Sequence, residues 1–506
     1  MIDASLTILC GLVVAGVMRR MLGAAGTRRL FGGKGWKGLF RAWAVGTLLP
    51  VCSFGVIPIA REMHRAGVRS ATILAFVLAA PHINPISLLY GLTISEWQVI
   101  VSFALGSLAI ALFAGAIWDR WFARDRDDVA VPDEPMPAPG LKRLLSVFVA
   151  AARESLSPSM LYILFGLLFT GILAGSLPYG CLGRSMRHDD PASPLLMAAF
   201  AVPAYIGPLA GMMRLGLMFE HGNSSGAAFV LFELGIGVNL GLFIWLMSWF
   251  GWRRVAVWTG LILLITIGLA YGAEQTLYFA HEEAGHTHAF DEWTNPFSPG
   301  SANPQVVWVK LKERVDILEQ FSLGGMVLLL LTGLILNQAD RKRQLEAWLT
   351  RAAPQNDLPP SVWNRHVPGP VLGAIALVGL IVMSVFGLYI YYPSAQDTFE
   401  LIKSTRTEAL SAVNSGNKEE AIRQLELWDL LSRKLQVGVF IRTGKLEKEQ
   451  SDAVDELRER LEELRDELRR IDKLEKLDHQ PASIKEMLHK IETAYKEVRR
   501  TYPVDP

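Results

Sequence analysis

Residues 50–85 read PVCSFGVIPIAREMHRAGVRSATILAFVLAAPHINP. The stretch is apolar, yet Pro50, Gly55, Pro58 and Ser53 interrupt it, and Arg61, His64, Arg65 and Arg69 lie in its middle. A smooth membrane helix has no such breaks, and a soluble loop is polar. Irregular backbone at membrane depth survives only where protein or a water-filled cavity covers it. The stretch therefore predicts a re-entrant hairpin that enters from the basic side, turns at Pro50–Pro58 and leaves through the Arg61–Arg69 loop.

The rest of the chain supports a membrane setting. Of its 506 residues 51% are hydrophobic, and runs near the ~20 residues needed to span a bilayer recur. They fall at 4–18, 70–93, 97–118, 157–177, 225–250, 254–273, 320–337 and 369–390. The net charge of +1 points to no nucleic-acid partner. Cys10, Cys52 and Cys181 lie in or beside apolar runs without a CxxC, so neither a disulfide framework nor a zinc ribbon is implied. The first run precedes its Arg pair, so it reads as a retained span.

Lys and Arg in short loops mark the cytoplasmic face. The basic segment from Arg19 to Arg41 and those at 118–126, 251–254 and 339–344 place both termini outside the cell. Two apolar regions are then left over, 42–60 and 193–219. Each has two short arms around a break, PVCSFGVIP (50–58) and PAYIGP (203–208), with Pro203, Gly207 and Pro208 forming the second. The threading brings them in from opposite faces. SATILAFVLAAPHIN (70–84) also resembles SGAAFVLFELGIGVN (225–239), matching Ser70 to Ser225 and Asn84 to Asn239. Inverted halves with broken helices at their interface are the plan of secondary transporters.

The first-half residues resemble the predicted-permease family that includes the ArsP-like organoarsenical efflux permeases. The resemblance rests on Pro50, Cys52, Ser53, Gly55, Val56, Pro58, Gly67, Val68, Ala75, Phe76, Pro81, Ile83, Asn84 and Pro85, and it covers about residues 1–273. It implies a permease. Phe54 stands where that family's motif has a second cysteine, and PAYIGP lacks the thiol of the second-half motif. Trivalent arsenic favours thiolates, and Cys52 alone remains in the motif.

Polar groups at membrane depth are costly and usually functional. The substrate-pathway candidates are Cys52 and Ser53 at the first break, His82 and Asn84 in the next span, Arg214 in the second hairpin, and Glu233 and Asn239 in the matching span. Each also has a structural reading, as packing or interhelical hydrogen bonding. Glu233 is expected to be a proton or cation site, or to pair with Arg214; with His82 it is a titratable candidate for coupling to an ion gradient. In the 281–293 loop, His281, Glu282, His286, His288 and Asp291 form a candidate divalent-metal site of imidazoles and carboxylates. No other cofactor is expected.

The expected architecture is all-α and polytopic. Repeat 1 covers 1–130, a Pro-rich linker and an amphipathic helix expected to lie on the membrane surface cover 131–156, and the inverted repeat covers 157–273. An outer His/acidic loop covers 274–319, two additional spans 320–393, and an extracytoplasmic helical bundle 394–506. In the bundle Val454, Leu457, Leu461, Leu464, Leu468 and Ile471 alternate three and four apart, a coiled-coil seam. It reads as a docking or self-association module. The functional expectation is a non-enzymatic secondary permease, an exporter of a small ion, metal or metalloid species. The alternatives are a divalent-metal transporter fed by the His loop, and a membrane-anchored interaction protein with a degenerate permease core.

Overall fold

A computed structural model describes residues 2–33, 35–82, 97–122, 141–178, 180–188, 190–220, 222–277, 290, 317–350, scattered positions between 371 and 389, 392–471 and 481–502. These residues are helical and contain no strand. They divide into two compact units, Met1–Val385 and Phe386–Pro506. Asn84, Pro85, the 133–140 linker and, apart from Phe290, the 281–291 loop lie outside the described residues.

Five helices of the first unit are long and apolar enough to cross a membrane: Ala4–Phe31, Gln98–Trp121, Ser159–Ser176, Trp252–Thr276 and Glu319–Ala339. A sixth is the pair Ser225–Ile236 and Leu240–Phe250, bent by 58° at its break. Outward side chains such as Ile172, Leu264 and Phe321 are 70%, 71% and 75% exposed. Large apolar faces of this kind suit lipid rather than water. The first unit is a multi-pass integral membrane structure.

Its helices follow the breaks. The chain runs through α1 (Ile2–Val17), one π turn (Met18–Leu22) and α2 (Gly23–Phe31), with Gly23 at φ 64° as the joint. Then come α3 (Trp36–Gly46), the first break, α4 (Val56–Arg65), α5 (Ser70–Ala79) and α6 (Trp97–Trp121). The basic segment from Arg19 is therefore helical to Phe31 instead of a loop. Arg20 is buried there because Glu346 neutralises it at 3.2 Å.

After α7 (Leu141–Glu154) the order repeats. It runs α8 (Ser159–Ser176), α9 (Ser193–Ala201), the second break, α10 (Pro208–Glu220), α11 (Ser225–Val230, continued by a π turn Leu231–Ile236), α12 (Leu240–Phe250) and α13 (Trp252–Thr276). Trp97 and Trp252 open α6 and α13, Trp121 and Thr276 close them, and Gly46 and Ala201 close α3 and α9, always 155 residues apart. LTILCGLVVAG (6–16) and LYILFGLLFTG (161–171) match at the same spacing. The packing of α3, α5 and α6 on one another recurs among α9, α11 and α13.

Helix α7 was expected on the membrane surface. Instead it packs against α1 and against α14 (Ile317–Ala339). Glycines allow this approach: a Cβ on Gly16 would meet the Val147 carbonyl oxygen at 2.8 Å, and one on Gly333 the Ala152 oxygen at 2.3 Å. Arg153 closes the joint, 2.9 Å from Asp340 and 2.5 Å from Glu346 on α15 (Gln344–Thr350). The amphipathic pattern is thus satisfied by protein, although Leu144 and Leu145 stay exposed.

The second unit holds α16 (Ala395–Ser415), α17 (Lys418–Thr443), α18 (Lys448–Arg470) and α19 (Ala482–Thr501). Gly416 and Gly444 end α16 and α17 in the left-handed conformation, as C-terminal glycines do. The spaced Val454, Leu457, Leu461, Leu464 and Leu468 are buried in its core with Trp428 and Tyr495. Asp429 sits among Arg433 and Arg458, both at 2.9 Å. Burial works against its charge, but Arg433, Arg458 and Arg465 prevail and hold its carboxyl down at about 2. That stabilisation is fully present above the unfolded carboxyl's value and is lost as pH falls toward about 2. Asp429→Asn should cost ~2 kcal/mol at neutral pH, read as a lower unfolding temperature of the full chain, and the difference should vanish in acid.

Candidate functional site

The first break is held by close backbone packing. Gly11 of α1 faces it so tightly that a Cβ there would lie 2.2 Å from the Gly55 oxygen, and a Cβ on Gly55 would lie 2.5 Å from the Thr7 oxygen. Cys52, Ser53 and Phe54 are all fully buried. The Gly55 amide donates to Cys52 Sγ (3.4 Å), so the thiol helps turn the chain into α4.

The second break is sewn to the interrupted span that follows it. Ile206 N–H donates to the Gly235 oxygen (3.2 Å) and Leu240 N–H to the Pro203 oxygen (3.4 Å). Tyr205 N–H donates to Thr170 Oγ1 (3.0 Å). These contacts satisfy backbone groups that the breaks release, which burial would otherwise make costly.

Two polar contacts then join the segments. Asn239 caps α12, its Oδ1 accepting from Leu242 N–H (2.9 Å), while its Nδ2 donates to Ser53 Oγ (2.9 Å). Beside them the rings of Phe54 and Tyr205 lie 4.5 Å apart, linking one break to the other. The second contact is His82, whose Nε2–H donates to the Glu233 carbonyl oxygen (2.8 Å) and lies 3.6 Å from Glu233 Oε2. A carbonyl only accepts, so the proton is on Nε2. Nδ1 lies 3.4 Å from the Ser107 hydroxyl.

The π turn explains why that carbonyl is available. Gly237 N–H turns to the Leu234 oxygen, and Val238 N–H bonds the same oxygen at 3.1 Å. Such single π turns often mark functional positions. Gly237 also makes room: a Cβ there would sit 2.1 Å from His82 Nε2 and 2.3 Å from the Glu233 oxygen. With Asn84 matched to Asn239, the counterpart of His82 is Gly237, and the two meet.

The sequence grouped Cys52, Ser53, His82, Asn84, Arg214, Glu233 and Asn239 as one pathway, and Asn84 lies outside the described residues. Ser53 meets Asn239, and His82 meets Glu233. Glu233 pairs with His82, whereas Arg214 Nη1 donates to the Ala210 oxygen (2.8 Å) and its guanidinium lies over the Phe290 ring. Ser107, Tyr205 and Gly237 were missed. Only the glycine had a visible signal, its place opposite His82 in the matched segments. Among the described residues no group of three or more His, Cys, Asp or Glu is set to hold a metal.

The family model described as Predicted permease, ArsP_1, matches residues 1–273, more than half of the chain. The chain belongs to this predicted-permease family. The chain is also similar to the UPF0718 protein YcgR of Bacillus subtilis, 30% identical over 137 residues. That alignment covers 27% of this chain and 46% of the relative, so the chain matches about half of the relative's length. No solved structure matches. Both breaks, the interrupted span and α13 as far as Ala273 fall inside the family region, while α14 to α19 lie beyond it.

Proposed function

We propose that the protein is a secondary permease that exports a small ion, metal or metalloid species, by alternating access between two inverted halves. The observation that carries this reading is the Asn239–Ser53 hydrogen bond, 2.9 Å between a break of one half and the interrupted span of the other. The constant 155-residue spacing and the recurring three-helix packing support the repeat. The charged loops support opposite orientations of the halves. Segments that meet through a few polar bonds between broken helices can part and re-form, which is what alternating access requires.

The role of each residue follows from its place. Ser53 and Asn239 close the path between the halves. Cys52 supplies a soft ligand beside it, and Phe54 takes the volume that a second thiol would leave open. The 281–291 loop, with its imidazoles and carboxylates, would gather a divalent metal on the outer face. Both termini would then also be outside.

The test is a sensitivity screen of a deletion strain against metals and metalloids, with elemental analysis of the cells. The deletion should raise at least one element in the cell, and the full chain should restore it. Ser53→Ala with Asn239→Ala should lower that restoration about tenfold, the equivalent of ~1.4 kcal/mol. The reading fails if no element changes. It also fails if the double variant restores fully while removal of 398–506 abolishes restoration.

A further inference from the structure

We propose that His82 and Glu233 together hold one exchangeable proton, and that the proton is this permease's coupling ion. The inference deepens the permease reading and rests on it. His82 precedes the first half's Asn84, and Glu233 lies in the π turn of the second half's span. Their side chains, 1% and 2% exposed, approach to 3.6 Å. Glu233 Oε1 is buried with no hydrogen-bond partner among the described residues.

Charge conservation gives the pair its function. A neutral carboxyl with a neutral imidazole carries one proton and no net charge. Removing that proton leaves a net negative charge, and adding one leaves a net positive charge. Either is expensive in an apolar site. The one-proton state is therefore the closed state, and the proton leaves only when water or a cation reaches the pair. The proton rests on the Glu233 carboxyl, because an ionised Oε1 would face no donor. When the site opens, the O–H bond breaks, the proton passes to water, and the carboxylate keeps the electron pair. No oxidant or co-reactant is involved.

The surroundings add little compensating charge. Of the elements packed on the π turn, α9 carries no ionisable side chain. Helix α10 brings Arg214, engaged with Ala210 and Phe290 as described, and Glu220 at its end. The second break brings Tyr205, whose ring lies against Phe54. From α6 comes the neutral Ser107. Phe232 covers the imidazole, its ring 5.2 Å away. The site is built from both halves, so their separation exposes the pair and their closure seals it. That is the requirement for linking a proton to a conformational cycle.

Two measurements on the full chain test this, the first on purified protein. The first is infrared difference spectroscopy in the carboxylic-acid carbonyl region near neutral pH. A protonated band should be present, lost in Glu233→Gln and shifted in His82→Gln. The second uses everted membrane vesicles with cadmium ion and phenylarsine oxide as probes. Glu233→Gln should lose at least tenfold of the uptake driven by a pH gradient, and the uptake that remains should no longer depend on pH. A merely structural role would lower uptake by the same factor at every pH. The proposal is overturned if the wild-type chain shows no such band, or if Glu233→Gln keeps gradient-driven uptake. If neither probe moves, the permease reading loses support for these substrates, and the band alone decides whether the pair holds a proton.

Discussion

Gly237→Ala is expected to abolish transport and sharply lower the amount of folded protein in the membrane. The added Cβ would lie 2.1 Å from His82 Nε2 and 2.3 Å from the Glu233 carbonyl oxygen. Gly237 has an ordinary φ of −75°, so the constraint is space rather than backbone conformation. The imidazole cannot simply retreat, because Phe232 and Ser107 flank it. Overpacking of a filled interior costs about 1–3 kcal/mol, and here the clash falls on the contact between the halves. Thermal unfolding in detergent and the cellular element content read the two effects separately. A Gly237→Ala protein with wild-type stability and transport would show that the halves do not meet at this residue.

Gly166→Ala and Phe54→Ala should each be damaging, and less damaging together than their sum. Phe54 is fully buried, and removing a buried Phe ring typically costs about 3–5 kcal/mol. A Cβ on Gly166 would meet that ring at 2.7 Å, at both Cε1 and Cζ. Without the ring the same methyl group enters a void. The double variant should therefore recover at least ~1 kcal/mol relative to additivity, since touching residues couple. Unfolding midpoints of the four proteins give the coupling directly. Additive losses would mean that Phe54 does not occupy the groove between α8 and the first break.

The breaks were legible because proline and glycine announce them. Pro50 and Gly55 stand between α3 and α4, with Pro58 in the first turn of α4; Pro203 and Gly207 stand between α9 and α10, and Pro208 opens α10. The bundle joints at Gly416 and Gly444 follow the same chemistry, since glycine takes the left-handed conformation without strain. The partnership of His82 with Glu233 was not, because 151 residues separate them and pairing across that distance leaves no local pattern. Arg20 was read as a loop residue, but its partner, Glu346, lies 326 residues away. The protein partners of α7 were hidden for a related reason. An amphipathic face states only that something apolar covers it, and α1 and α14 do so as well as lipid would. The match of α1 to α8 was present in the sequence, but it lies in leucine-rich stretches where coincidence is common.

The central claim is that the buried first break opens in turn to each side of the membrane. Cys52 is a native reporter, fully buried and next to Ser53. With Cys10→Ser and Cys181→Ser it becomes the chain's single thiol. A membrane-impermeant thiol reagent should then label Cys52 both in right-side-out and in everted vesicles, and a transported ion should change the two rates in opposite directions. Labelling from one side only, or from neither side while the unfolded chain labels fully, would contradict alternating access.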